Sequence, residues 1–291
     1  QLMKVGIIIL NYNTTEQTLK LAKLLESYNF FKKIVIVDNG SSDSDITKLK
    51  LAQSDIITLI ETKFNGGYSY GNNIGFSVLA KADIEIVFFS NPDVFVKEAD
   101  IKSISYYMKQ YKYSMLTGIE YDINGHVNDI SLPYIPSYVD DLISCFYIGR
   151  KINKKRHIHY VDYMKEINDA EVLHGSFFAI RKDDFEAVGG FDENIFLYCE
   201  ERILASRIKK YGGKIGVVTV AKYKHMHSLS IDKAYPNKYK KMKLLYDSRI
   251  YYHKKYNNVG RGRLLLLSAA MKISLIEFKL KDNFHKLKFK M

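Results

Sequence analysis

Polar residues suited to holding a ligand stand in four clusters in the first third of the chain. They are Asn11, Tyr12 and Asn13; Asp38, Asn39, Gly40, Ser41, Ser42 and Asp43; Asn65 to Asn73 (NGGYSYGNN); and Asn91, Pro92 and Asp93. Asn, Gly, Ser and Asp also form turns and cap helices, so one such cluster alone says little. Four of them, each following an apolar run, point to a shared edge, because open α/β sheets bind ligands where strands end at their carboxyl side. Gly66, Gly67 and Gly71 open a helical stretch and can bring backbone N–H groups close to a phosphate. The segment lacks GxxxxGK[ST], and Gly67, Gly71 and Gly75 do not give GxGxxG, which argues against P-loop and dinucleotide chemistry. Asp93 ends the run IVFFSNPD, with Pro92 fixing the backbone before it. A carboxylate combined with phosphate and water oxygens suits Mg²⁺ or Mn²⁺ rather than a structural zinc.

The elements that must position these residues follow from periodicity. Val5 to Leu10, Ile34 to Asp38, Ile56 to Ile60 and Ile84 to Phe89 are apolar runs of the kind that strands buried on both faces show. Between them Thr15 to Tyr28, Asp43 to Ala52 and Tyr70 to Ala80 have helical spacing. Strands alternating with helices predict a parallel sheet with right-handed crossovers and helices on both faces. Further on, a helix is expected over Lys97 to Tyr111, a hairpin turn at Asn124 and Gly125, and an irregular insertion or lid over Pro133 to Glu166. Regular structure then resumes with Glu171 to Ile180, a turn at Gly189 and Gly190, a helix over about Tyr198 to Tyr211 and a strand over Ile215 to Ala221. Two helices are expected after Asn237, the second over Leu264 to Leu280.

The chain has 291 residues, 47% hydrophobic and 26% charged, which excludes disorder, collagen and coiled coil. Its two cysteines, Cys145 and Cys199, are too few for a disulfide framework and fit a reducing cytosol. The net charge of +12 is concentrated in one place: Lys233 to Met291 carries 16 Lys and Arg against 3 Asp and Glu, leaving 28 basic and 29 acidic residues elsewhere. The expected organisation is a body over residues 3–232, with a nucleotide-binding half over about 3–95 and an acceptor half over about 96–232, followed by a basic helical C-terminal region over 233–291.

Taken in order, NYN, DNGSSD, NGGYSYGNNIG, NPDV, GSFFAIRK, GGFDENIFLYCEE and a late histidine resemble the family 2 glycosyltransferases with the GT-A fold, over about Met3 to Ser230. The similarity is to the bacterial rhamnosyltransferase-like enzymes of surface polysaccharide synthesis. It implies sugar transfer with inversion from a UDP- or dTDP-activated donor, assisted by Mg²⁺ or Mn²⁺. By position, Asp38 matches the carboxylate that contacts the nucleotide base, and Asn11, Tyr12 and Asn13 line the same pocket. Asn65, Gly67, Gly71 and Asn73 match residues near ribose and diphosphate. NPD replaces the DxD motif, with Asn91 for its first acid and Asp93 as metal ligand. His225 matches a second metal ligand, with His227 as its rival. Glu200 and Glu201 match the acidic pair whose second member is the general base, which makes Glu201 the base. Neighbours on a helix are turned about 100° apart, so at most one can aim straight at the acceptor. Ile203 stands where the family often has a further Asp. Asp192 and Glu193 match acceptor-side carboxylates, and His174 begins a segment passing beneath the donor sugar.

The basic tail has two readings. Leu264 to Phe278 is too short and too interrupted by Lys272 and Glu277 to span a bilayer, but its basic flanks suit an anionic lipid surface. Alternatively it packs on the body or on another subunit, as in a homodimer. The aromatics among its lysines form no named nucleic-acid motif, so no nucleic-acid partner is expected. The expected partners are a nucleotide sugar and a saccharide or polyprenyl-diphosphate-linked acceptor, with the chain cytoplasmic and peripheral on the inner face of the membrane. The rival readings are a non-catalytic nucleotide-sugar-binding homologue and a basic membrane or nucleic-acid adaptor.

Overall fold

Along the first strand, Val5, Ile7 and Ile9 enter one apolar core while Ile8 enters another. The second strand divides in the same way, with Ile34 and Ile36 on one side and Val35 and Val37 on the other. Burial on both faces is why these runs show no polar alternation. In the computed structural model, which describes residues 4–127, 132–156, 159–226 and 237–288, they are β1 (Val5–Asn11) and β2 (Lys33–Asp38). With β3 (Ile57–Glu61) and β4 (Ile86–Ser90) they form a parallel half-sheet in the order β3-β2-β1-β4. One core is covered by α1 (Thr15–Ser27), α2 (Asp43–Lys50) and α4 (Glu98–Tyr111). The other is covered by α3 (Gly67–Ala80), α7 (Lys182–Ala187) and α8 (Glu200–Tyr211).

The sheet continues as β8-β6-β9-β5, with β7 (Ile167–Asp169) also paired to β9. Here β8 (Phe177–Arg181) runs antiparallel to both β4 and β6 (Met115–Tyr121), whereas β9 (Ile215–His225) is parallel to β6. The short β5 (Val94–Val96) pairs antiparallel with the far end of β9, so that Val94 faces His225. The fold is thus an α/β sheet, parallel in its first half and mixed in its second, with helices on both faces. β9 outruns the expected Ile215 to Ala221 by four residues because β5 supplies a partner for its end. The turn at Asn124 and Gly125 forms: Gly125 has φ +82°, and Tyr121 bridges Val127 across it.

The stretch expected to be irregular contains α5 (Tyr138–Ile143) and α6 (Tyr147–Arg156). Ser137 and Asp140 close a reciprocal capping box at the start of α5. The C-terminal region forms α9 (Lys238–Lys255) and α10 (Arg261–Lys288). These pack on α5 through Cys145, Tyr246, Leu267, Ala270 and Met271, while Tyr252 packs against Ile195 and Ile203 of the body. Among the described residues no helix is long and apolar enough to cross a membrane.

Candidate active site

The parallel register sets Asn11 beside Asp38, and Asp38 beside Glu61, so the clusters after β1, β2 and β3 meet at one edge. Asn11 and Asp38 are both fully buried. Asn11 Nδ2 donates to Asp38 Oδ1 at 2.7 Å, and the Ser41 N–H donates to Asp38 Oδ2 at 2.9 Å. Asn13, at φ 54°, donates its N–H to the Ser41 hydroxyl. Asn39, named in the second cluster but given no role there, ties this edge to α3: its Nδ2 donates to Asn65 Oδ1 and to the Gly67 carbonyl, each at 3.0 Å. Gly67 itself has φ +89°, and a Cβ there would lie 2.2 Å from the Phe196 carbonyl oxygen. Gly71 lies against Leu10 and Asn39, so its demonstrable role is close packing of α3 on the sheet.

Two residues expected to contact ligand also bond within the protein. Asn73 accepts from the Phe191 N–H and donates to the Phe191 carbonyl and to Glu193 Oε1, which clamps the 191–193 loop rather than facing the edge. Asp192 is buried, and its Oδ2 accepts from Tyr251, Tyr256 and Lys255 of α9 and its end, while Oδ1 accepts from Asn194. Burial opposes its charge, but the Tyr256, Asn194 and Tyr251 hydrogen bonds outweigh that and hold the carboxyl well below the usual range. Asp192 therefore anchors the C-terminal helices. Glu193 remains exposed.

Asp93 and His225 are brought together, as expected of a ligand pair. The β5–β9 register does this, backed by a bond from the Met226 N–H to the Asp93 carbonyl. Asp93 Oδ1 is buried, receives no hydrogen bond and lies 3.3 Å from His225 Nε2. Cis ligands each about 2.1 Å from a divalent cation sit about 3 Å apart, so the pair fits such an ion. Among the described residues no three His, Cys, Asp or Glu side chains converge on a metal position, so a cation held by this pair would need its remaining ligands from substrate or water oxygens. Asn91 is half-buried, and its N–H donates to the Ser176 carbonyl. His227 lies outside the described residues.

Behind His225 stands Glu120, missed because β6 was not read as a strand. Its Oε1 lies 3.2 Å from His225 Nδ1, and its Oε2 lies 2.8 Å from both His174 Nδ1 and the Tyr223 hydroxyl. Burial alone would lower the His225 pKa, but Asp93 and Glu120 raise it to about 9. The signal available was the one used elsewhere: a lone acid closing an apolar run, here MLTGIEY.

Glu200 and Glu201 begin α8 directly after Tyr198 (φ 70°) and Cys199 (φ 67°), two left-handed non-glycine residues in succession. Such residues cost free energy and persist only where surrounding structure enforces them. Glu201 Oε1 accepts from the Gly175 N–H at 3.0 Å, and a Cβ at Gly175 would come within 2.2 Å of that oxygen. Glu200 is 3% exposed, with Oε2 lacking any hydrogen bond. Burial raises both carboxyls, Glu200 well above the usual range with the neighbouring Glu201 charge adding to it. Arg202 is buried too and pairs with Asp141 of α5 at 2.7 Å, and Asp141 also meets Arg249 and His253 of α9. The two halves of the site are joined by three consecutive residues. His174 contacts Glu120, Gly175 bonds Glu201, and Ser176 bonds both the Asn91 N–H and Tyr223.

A half-parallel sheet with this edge is the GT-A fold. Its solved likenesses include residues 1–349 of S. aureus TarS in complex with UDP-GlcNAc (TM-score 0.56, 15% identity), covering 84% of this chain and 66% of that one. GalNAc-T7 with UDP, GalNAc and Mn²⁺ (TM-score 0.58, 13% identity) covers 79% of this chain and 45% of that one. Within that fold the chain belongs to glycosyl transferase family 2, whose model matches residues 6–189. It is 28% identical over 221 residues to the rhamnosyltransferase WbbL of Escherichia coli K12, covering 74% of this chain and 80% of that protein. It is also 28% identical over 212 residues to the low-salt glycan biosynthesis hexosyltransferase Agl10 of Haloferax volcanii, covering 72% of this chain and 63% of that protein.

Proposed function

We propose that this glycosyltransferase moves a sugar, with inversion, from a UDP- or dTDP-sugar to a saccharide acceptor carried on a lipid diphosphate, in bacterial surface polysaccharide synthesis. The observation that carries the reading is the 174–176 segment, which meets Glu201 through the Gly175 N–H, Asn91 through the Ser176 carbonyl and, by way of the His174 and Glu120 side chains, His225. The acceptor hydroxyl attacks the anomeric carbon in line, its proton passes to Glu201, and the bond to the diphosphate oxygen breaks with the electron pair leaving on the nucleotide. Asp93 and His225 would hold Mg²⁺ or Mn²⁺, which supplies charge neutralisation to the leaving diphosphate. Asp38, fixed by Asn11 and Ser41, stands where the nucleoside is recognised. Crystallisation of GalNAc-T7 with UDP and Mn²⁺ and of TarS with UDP-GlcNAc supports a nucleotide-sugar donor and a cation. Slow hydrolysis of a nucleotide sugar by the purified chain, dependent on Mn²⁺ or Mg²⁺, is the expected result. Absence of any nucleotide-induced rise in melting temperature would reject the reading.

The same proposal includes an anionic membrane surface on the cytoplasmic face. Leu267, Ala270, Met271 and Ser274 face the protein, and at a roughly 100° step the exposed Leu265, Leu266, Ile273 and Ile276 gather on the opposite side of α10. Arg261, Lys272 and Lys279 border that second stripe and are exposed. An apolar stripe with a basic margin suits an interfacial helix.

A further inference from the structure

Glu120 closes β6 at the edge that holds Asp93 and His225, yet the reaction described above gives it no task. Its position depends on an irregularity: the β6–β9 register slips between Gly118 and Ile119, which brings Glu120 opposite Tyr223. Gly118 permits the slip, since a Cβ there would lie 2.7 Å from the Ala221 carbonyl oxygen. Burying a carboxylate is costly unless charged or hydrogen-bonding groups meet it, and Glu120, 9% exposed, is met by Tyr223, His174 and His225. With Nδ1 of His225 committed to Oε1, the nitrogen left facing Asp93 is Nε2. A carboxylate behind an imidazole fixes its ring orientation and tautomer and strengthens the other nitrogen as a ligand.

We propose that Glu120 is a positioning residue that holds His225 with Nε2 directed to the cation and, through its other oxygen, ties His174 into the same unit. This inference rests on the cation reading given above.

Calorimetry of Mn²⁺ binding to the full chain in the presence of UDP tests it with two variants. Glu120→Gln keeps the size and removes the charge; Glu120→Asp keeps the charge but withdraws it by one methylene. Both are expected to bind Mn²⁺ about 10- to 100-fold more weakly while cation-free UDP binding stays unchanged. Nitrogen NMR of the histidine-labelled chain, with Mg²⁺ and UDP bound, should show His225 protonated on Nδ1 in the wild type and a tautomer mixture in Glu120→Gln. If the wild type itself binds no Mn²⁺ with UDP, the cation reading fails and takes this inference with it. If the wild type binds and both variants bind equally well, only the role of Glu120 falls. Full restoration by Glu120→Asp reduces the residue to a nearby charge and also overturns it. Should neither variant fold, the wild-type spectrum decides, because a His225 carrying its proton on Nε2 in the bound state contradicts the proposal.

Discussion

Glu200 and Glu201 are adjacent in sequence but sit in different surroundings. Glu200 is buried with an oxygen that nothing satisfies, and its raised pKa keeps it protonated over a range where an ordinary carboxylate is charged. Glu201 is half-buried, its carboxyl also raised by burial, and it holds its geometry through the Gly175 N–H. Glu201→Gln should therefore lower kcat by about 10²- to 10⁴-fold with donor affinity nearly unchanged, as befits a group acting in the chemical step. Glu200→Gln keeps the shape of a buried side chain that makes no hydrogen bond to the 174–176 segment and should cost much less. The reverse ranking would make Glu200 the base. At the nucleotide edge, Asp38→Ala should weaken UDP binding with or without cation, since it removes the acceptor that Asn11 and Ser41 hold in place. Asp93→Ala should abolish only the cation-dependent part, and calorimetry with and without Mn²⁺ separates the two.

At the scale of elements, what matters is how the start of α8 is held. Asp141 binds Arg202, Arg249 and His253, so one buried carboxylate fastens α5, α8 and α9 together. Asp141→Ala leaves Arg202 buried without its countercharge and should destabilise the fold by about 3 to 5 kcal/mol, read from denaturant unfolding. The pH dependence has a definite sign. Burial raises the Asp141 pKa, but His253, Arg249 and Arg202 lower it further, so its folded value lies below its unfolded value of about 3.9. Its contribution is present above that value and disappears as pH falls through the folded pKa, so wild-type stability should drop more steeply below about pH 4 than that of Asp141→Asn. None of this linkage was legible in the sequence. The parallel strands were, because burial on both faces leaves long apolar runs. So were the turn clusters, because Asn, Gly and Asp mark strand ends. The second half hid its strands: β8 begins at Phe177 rather than Glu171, since the 174–176 segment is given over to the site. α5 was hidden by shortness and by Pro133 and Pro136 just before it, and α6 by a sequence, YIGRKINKKR, with too few apolar residues to show a helical stripe. Asp192 and Asn73 matched family positions, but a pattern does not reveal the bonds they make inside the protein.

For the molecule as a whole, the two faces of α10 give the clearest expectation. One face packs on α5 and α9, and the other offers Leu265, Leu266, Ile273 and Ile276 to the outside. Cosedimentation with anionic vesicles at low ionic strength should capture the chain, and added salt should release it, because each Lys or Arg near such a surface contributes about 1 kcal/mol that screening removes. Neutral vesicles should capture less. If the chain ignores both kinds of vesicle and instead doubles its mass in solution, the stripe belongs to a second copy.

The bonds that Asp192 makes to Tyr251, Lys255 and Tyr256, with Arg207 bound to Tyr256, cross from the catalytic body into the C-terminal helices. A lineage cannot then freely exchange this tail for another by recombination at the apparent boundary near residue 232, since the incoming tail would strip the buried Asp192 Oδ2 of the donors that the C-terminal helices supply. Among related genes the codons for 192, 207, 251 and 256 should drift in concert, so that the body and its tail are inherited as one unit.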